Sequence, residues 1–142
     1  MVAGRLLDLN VLLALAWQSH EHHDSAHAWF SRQRSSSTCG FTQMGFVRLS
    51  SNPRVVDPVA SPAEAAEVLR RILQHPRHLF WVDDLDIGAD GAGLPAWVQG
   101  HRQVSDAHLV RLAARHKGRV ATFDGALHAA AGGGLVELIA AS

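Results

Sequence analysis

An α/β fold built on a parallel sheet is what this sequence predicts, and three observations predict it. Short apolar segments suited to strands alternate along the chain with stretches of helical periodicity. One helix start carries an explicit signal, because Ser61 precedes Pro62 and Glu64 stands three residues after Ser61, the spacing of a reciprocal cap. Finally, 142 residues of which 47% are apolar can bury a sizeable core without disulfides or structural metal, so one domain spanning 1–142 is expected.

Taken in order, strands are expected over residues 5–8, 36–39, 79–82, 119–122 and 135–139, where β-branched and other apolar side chains gather in runs too short for helices. Helical spacing fills the intervals at 9–17, 25–33, 41–50, 62–74 and 106–116, with a shorter piece at 126–131. The stretch 83–95, rich in Asp and Gly, reads as a loop, and the glycines at 132–134 read as a turn before the last strand. No internal repeat is present.

Composition narrows the function. Thirteen basic residues balance thirteen acidic ones, so any attraction to nucleic acid comes from a local patch rather than from the whole protein. Cys39 is the only cysteine, which excludes an internal disulfide and suits a reducing compartment; a cytoplasmic setting is expected. The apolar run 9–17 is too short to cross a bilayer, so no membrane role is expected.

Ligands of open α/β sheets bind beyond the carboxyl ends of the strands. Asp8 ends the first expected strand, Asp124 follows the fourth, and Asp106 opens the helix that feeds the fourth, so three carboxylates are expected to converge at one edge. Each aspartate alone also suits a helix N-terminus, where it meets unpaired N–H groups. Caps need not cluster, whereas a hard divalent cation requires oxygen ligands and offsets the repulsion among several carboxylates. Asn10 and Thr122 are the candidates to orient that shell, although helix initiation and strand propensity explain them equally well.

The runs Leu7-Asp8-Leu9-Asn10-Val11-Leu12-Leu13, Ser105-Asp106-Ala107-His108-Leu109 and Ala121-Thr122-Phe123-Asp124 resemble the acidic motifs of PIN domains, in order and spacing. The resemblance extends over almost the whole chain and is nearest to the VapC toxins of type II toxin–antitoxin modules, through the segments Thr42-Gln43-Met44-Gly45-Phe46-Val47-Arg48-Leu49 and Gly100-His101-Arg102-Gln103-Val104. It implies a three-layer fold with a parallel sheet in the order 3-2-1-4-5. It also implies Mg²⁺ dependence with Mn²⁺ as substitute, endonucleolytic cleavage of RNA such as tRNA or rRNA with inhibition of translation, a cognate VapB-type antitoxin and a homodimer. Asp8, Asp106 and Asp124 are then the catalytic and metal-holding residues, with Thr42 in support.

One departure stands out. PIN domains commonly place a glutamate three residues after the threonine of the second motif, and that position here is Gly45. Either three aspartates with water suffice, or Asp83 and Asp84 substitute, or the domain is catalytically weak and serves as an RNA- or antitoxin-binding module. Arg48, Arg54 and Arg102 are candidates for RNA phosphates, although an exposed arginine is commonly a solvated charge. His23 and His27 have the i, i+4 spacing of a zinc pair, yet no cysteine or His-Glu-x-x-His pattern completes a set. The tryptophans at 17, 29, 81 and 97 are candidates to stack bases, but at their apolar helical or strand spacing core or subunit contacts are expected.

Overall fold

The computed structural model describes residues 4–89 and 94–141; of the expected loop at 83–95, residues 90–93 lie outside the described residues. The elements follow in the order β1 (Arg5–Leu7), α1 (Leu9–Ala16), α2 (His23–Ser31), β2 (Ser36–Thr38), α3 (Gly40–Ser50), α4 (Pro62–Leu73), β3 (His78–Phe80), α5 (Val104–Arg115), β4 (Arg119–Thr122), α6 (Gly125–Ala131) and β5 (Val136–Leu138). A 3₁₀ turn, His101–Gln103, leads into α5. All strand pairs are parallel, and the sheet order is β3-β2-β1-β4-β5.

Several boundaries differ from the sequence expectation, β3 covering His78–Phe80 and α2 His23–Ser31 among them, and two kinds of difference have a plain physical reason. The strands run only three or four residues, because capping interactions begin directly at their ends: Asp8 caps α1 and Asp124 caps α6. Helix α5 starts at Val104 rather than Asp106, since the preceding 3₁₀ turn hands its backbone straight to the helix and leaves Asp106 in the first turn instead of at its cap. The start of α4 matches its signal, with the Ser61 hydroxyl accepting from Glu64 N–H at 3.1 Å and the Glu64 carboxylate accepting from Ser61 N–H at 3.1 Å.

Alternation along the strands produces three layers. Leu6, Val120 and Val136 pack on one face with Leu109, Leu112 and Leu127 of α5 and α6. Leu7 and Ala121 on the other face meet Val11, Leu12 and Phe46, under the layer of α1 to α4. A one-residue slip in register would exchange the two sets, so the pairing of Leu6 with Val120 and of Leu7 with Ala121 is strongly specified.

Cys39 is fully buried in the α5–α6 core. Trp29 is buried and donates its indole N–H to Glu137 at 2.7 Å; Trp17 stacks on Phe46 and donates to Ser50 at 2.9 Å. Trp81 stacks on His116 and lies against Gly4 and Gly118; a Cβ on Gly118 would stand 2.5 Å from the Gly4 carbonyl and 2.7 Å from Trp81. Helix α5 ends in a Schellman turn, with Gly118 N–H bonded to Ala113 O at 2.8 Å and Lys117 N–H to Ala114 O at 2.9 Å. The left-handed position of that turn, φ 58°, is occupied by Lys117 instead of glycine.

Candidate active site

Strands β1 and β4 lie side by side and parallel, with Leu7 opposite Ala121, so the residues that follow them emerge together. Asp8 N–H still bonds to Ala121 O at 3.0 Å, which carries the ladder to the first acid. One Asp8 carboxylate oxygen accepts from Leu9 N–H at 2.7 Å and the other from the Thr122 hydroxyl at 2.7 Å. Thr122 is fully buried and its hydroxyl is saturated: besides donating to Asp8, it accepts from Asn10 Nδ2 at 3.2 Å and from Asp124 N–H at 3.0 Å. Asn10 also accepts from Phe123 N–H at 3.4 Å. Asp124 caps α6, accepting from Ala126 N–H at 2.9 Å and Leu127 N–H at 3.1 Å.

Asp106 differs from both neighbours. It sits half-buried in the first turn of α5, and among the described residues its carboxylate receives no hydrogen bond. Capping therefore accounts for part of what Asp8 and Asp124 do and for nothing that Asp106 does.

The charges are unbalanced. Burial pushes Asp106 up to about 6, and the like charges of Asp8 and Asp124 add to it. Burial also raises Asp8; the bonds from Thr122 and Leu9 act against that rise, and repulsion from Asp124 acts with it. Among the described residues none of the three forms an ion pair. Asp8 and Asp106, both raised and both repelled by Asp124 with no ion-paired cation, form the electrostatic environment a divalent ion would relieve.

A cavity of about 170 Å³ opens beside the acids, lined by Trp97, Arg102, Gln103, Asp106, Asp124 and Leu127 among others. A larger apolar hollow of about 380 Å³ lies between α1, α2 and α4, around Leu15, Phe30 and Ile72, and its wall contains no carboxylate. Of the two, the smaller one has carboxylates in its wall, those of Asp106 and Asp124.

The PIN domain family matches residues 5–133 of the chain. The chain belongs to the PIN-domain family. It is 43% identical to ribonuclease VapC39 of Mycobacterium tuberculosis over 136 residues, which cover 94% of this chain and 98% of that protein. Ribonuclease VapC38 of the same organism is 42% identical over 121 residues, 84% of each chain, and ribonuclease VapC44 is 40% identical over a similar span of 121 residues. These relatives place the chain with the VapC-type PIN domains.

Not every residue expected in this PIN domain's site reaches it. Thr42 is fully buried, and its hydroxyl serves the start of α3 by accepting from Cys39 N–H at 3.0 Å and donating to Cys39 O at 3.1 Å. Asp83 and Asp84 do not stand in for the missing acid. Asp83 pairs with His108 and Asp84 with Arg115 at 2.6 Å, so both carboxylates fasten the segment after β3 to α5. Although burial acts to raise it, Asp83 is held below the usual range by His108. At the vacant acid position, a Cβ on Gly45 would lie 2.9 Å from the Leu9 side chain: an apolar group already occupies that space. Arg102 lines the acidic cavity, whereas Arg48 and Arg54 are exposed on α3 and the turn after it.

His23 and His27 do not form a metal pair either. Their rings bond to Ala14 O at 2.7 Å and Leu15 O at 2.8 Å, satisfying carbonyls at the end of α1. Sequence reasoning missed Trp97 and Gln103 as members of the site wall. The segment 100–104 had drawn attention through Arg102, but only the fold shows that its neighbours share the cavity.

Proposed function

We propose that this PIN domain is a VapC-type toxin ribonuclease, hydrolysing phosphodiester bonds in RNA with a divalent metal as cofactor. What carries the reading is the uncompensated meeting of Asp8, Asp106 and Asp124 beside a cavity that also holds Arg102. Among the described residues no three His, Cys, Asp or Glu side chains are closed up as a ready-made cage. Mg²⁺ does not need one: it keeps several waters and takes one or two carboxylates. The all-oxygen donor set and the raised proton affinity of Asp106 fit that ion, with Mn²⁺ able to replace it.

In this reading Asp8 and Asp106 hold the metal and Asp124 joins directly or through water. The bound ion supplies charge neutralisation at the phosphate and a more acidic water. The protein's own part is positional. Thr122 fixes one Asp8 oxygen and, with Asn10, ties the end of β4 to the start of α1, so the acids are set before substrate arrives. One of the three carboxylates would accept the proton of the attacking water as general base. Arg102 offers a forked contact to an RNA phosphate at the rim. Arg48 and Arg54 are outlying surface charges in this scheme.

The domain acts, in this proposal, as a single unit in the cytoplasm, on tRNA or rRNA, with translation as the process it slows, a VapB-type antitoxin as its inhibitor and a homodimer as its assembly. No helix among the described residues is long and apolar enough to cross a membrane. The test is cleavage of total RNA by wild type and Asp8→Ala in Mg²⁺, Mn²⁺ or chelator. Metal-dependent cutting that Asp8→Ala loses is the expected result; equal cutting by both proteins, or cutting that survives chelation, refutes the assignment.

A second reading has one observation behind it. Leu9 fills the space beside Gly45 where a fourth acid would sit, which favours a weakened site that binds RNA or antitoxin without cutting. Saturable RNA binding without cleavage in either metal would select it.

A further inference from the structure

Of four tryptophans, three are committed: Trp17 to Phe46 and Ser50, Trp29 to Glu137, Trp81 to His116. Trp97 is not. It packs half-buried against the α5–α6 core and also lines the acidic cavity, and among the described residues its indole N–H makes no hydrogen bond.

Gln103 completes the wall. Its side-chain oxygen accepts from Gln99 N–H at 2.6 Å and from Gly100 N–H at 3.2 Å. Two backbone donors aimed at one atom require that atom to be the oxygen, which leaves the amide NH₂ as the group the side chain can offer. Among the described residues that NH₂ has no partner. At about 170 Å³ the cavity is below the size of sites for drug-sized ligands and suits one planar ring system.

We propose that this cavity is a base-binding subsite: it takes one nucleobase of an RNA nucleotide next to the scissile phosphate, stacked on Trp97 and recognised by Gln103. An aromatic face gives stacking with any base, so affinity comes from Trp97. Polar groups give the selectivity. The Gln103 NH₂ donates while the Asp106 and Asp124 carboxylates on the same wall accept, so the subsite favours guanine, whose O6 and N7 accept and whose N1–H donates, over adenine. Leu127 supplies an apolar contact for the ring. The subsite rests on the nuclease reading for its neighbour, the scissile phosphate, but the pocket itself can be tested without catalysis.

The experiment has two arms. In the first, the intact protein with ¹⁵N-labelled tryptophan is titrated in chelator with the uncharged nucleosides guanosine and adenosine, the Trp97 indole signal being the one absent from Trp97→Phe. Saturable movement of that signal, stronger with guanosine and weakened several-fold by Gln103→Ala, is expected; an unmoved Trp97 signal overturns the proposal. In the second, wild type, Trp97→Phe, Trp97→Ala and Gln103→Glu cut a pool of short RNAs randomised around one position in Mg²⁺. Trp97→Ala should lose roughly ten-fold in kcat/KM, Trp97→Phe should keep most of it, and Gln103→Glu should turn the preference toward bases with amino groups. Unchanged sequence preference in folded Trp97→Ala and Gln103→Glu overturns the subsite while leaving the nuclease intact. A moving Trp97 signal with no cutting by wild type does the reverse.

Discussion

The β5 edge of the sheet and the carboxyl ends of β1 and β4 treat charge in opposite ways. Glu137 of β5, level with Ala121 and Leu7, pairs with Arg5 and Arg119 and also accepts from Trp29. Burial by itself raises that carboxylate, yet the bonds from Arg5 and Trp29 and the two positive charges reverse the effect and hold Glu137 below its ordinary value. At the carboxyl ends of β1 and β4, Asp8, Asp124 and the neighbouring Asp106 of α5 form no ion pair among the described residues, although Arg102 lines the same cavity, and burial and repulsion raise Asp106 to about 6. One region is neutralised by the fold itself. The other is left unbalanced by it, which is what a site for an external cation requires.

The largest effect that would break this comparison is at Asp106. Asp106→Asn should lose more cleavage than the roughly 10- to 100-fold typical of outer-shell changes at metal sites, as measured by initial rates in Mg²⁺. In chelator it should be more stable than wild type at pH 7 by about 1–2 kcal/mol, after allowing for solvent screening of a half-exposed group. The direction follows from linkage. A carboxyl raised in the folded state contributes stability below the unfolded value, near 4, and loses it as pH rises through about 6. Wild type should therefore weaken over that interval, and thermal melts of Asp106→Asn should show a flatter profile.

Glu137→Gln should act with the opposite sign. It leaves Arg5 and Arg119 without their counter-charge and should cost about 2 kcal/mol in urea unfolding at pH 7, less than for a fully buried pair. Because Glu137 is lowered in the folded state, its contribution is present above the usual glutamate value and fades as pH falls through the lowered one. Equal pH profiles for the two variants would erase the distinction between the neutralised and the unbalanced carboxylates.

Thr122→Val sharpens the comparison at its acidic end. Losing a hydroxyl that donates to Asp8 and accepts from Asn10 and Asp124 N–H should cost about 1–3 kcal/mol of apo stability. It should also weaken Mg²⁺ binding roughly 10-fold, readable by calorimetry. The smallest effect lies away from both regions. Lys117→Gly relieves a left-handed backbone at the end of α5 and should stabilise the protein by about 0.5–1 kcal/mol with cleavage rates unchanged.

Much of this arrangement is legible in the sequence because it rests on local signals. Ser61, Pro62 and Glu64 mark the start of α4 to the residue, and the alternating strands and helices lead to a parallel α/β sheet, with the three-layer order coming from the PIN resemblance. Asp8 and Asp124 could be placed because a strand end and a helix cap coincide there. What escapes is set by long-range packing. Thr122 is a candidate from its place beside Asp124, but only the pairing of β1 with β4 shows its hydroxyl donating to Asp8. Asp83 and Asp84 look like free acids until α5 presents His108 and Arg115 to them. Trp97 lies between the expected loop and helix α5, and only the fold puts it at the acidic cavity.

The lone thiol has a practical consequence. Cys39 is wholly enclosed beneath α5 and α6, so a reagent such as a disulfide dye can reach it only when the protein opens. Labelling then serves as a clock for unfolding. A cation that binds the folded acidic edge and not the open chain should slow that clock in proportion to its occupancy, giving a measure of metal affinity that needs no RNA and no turnover.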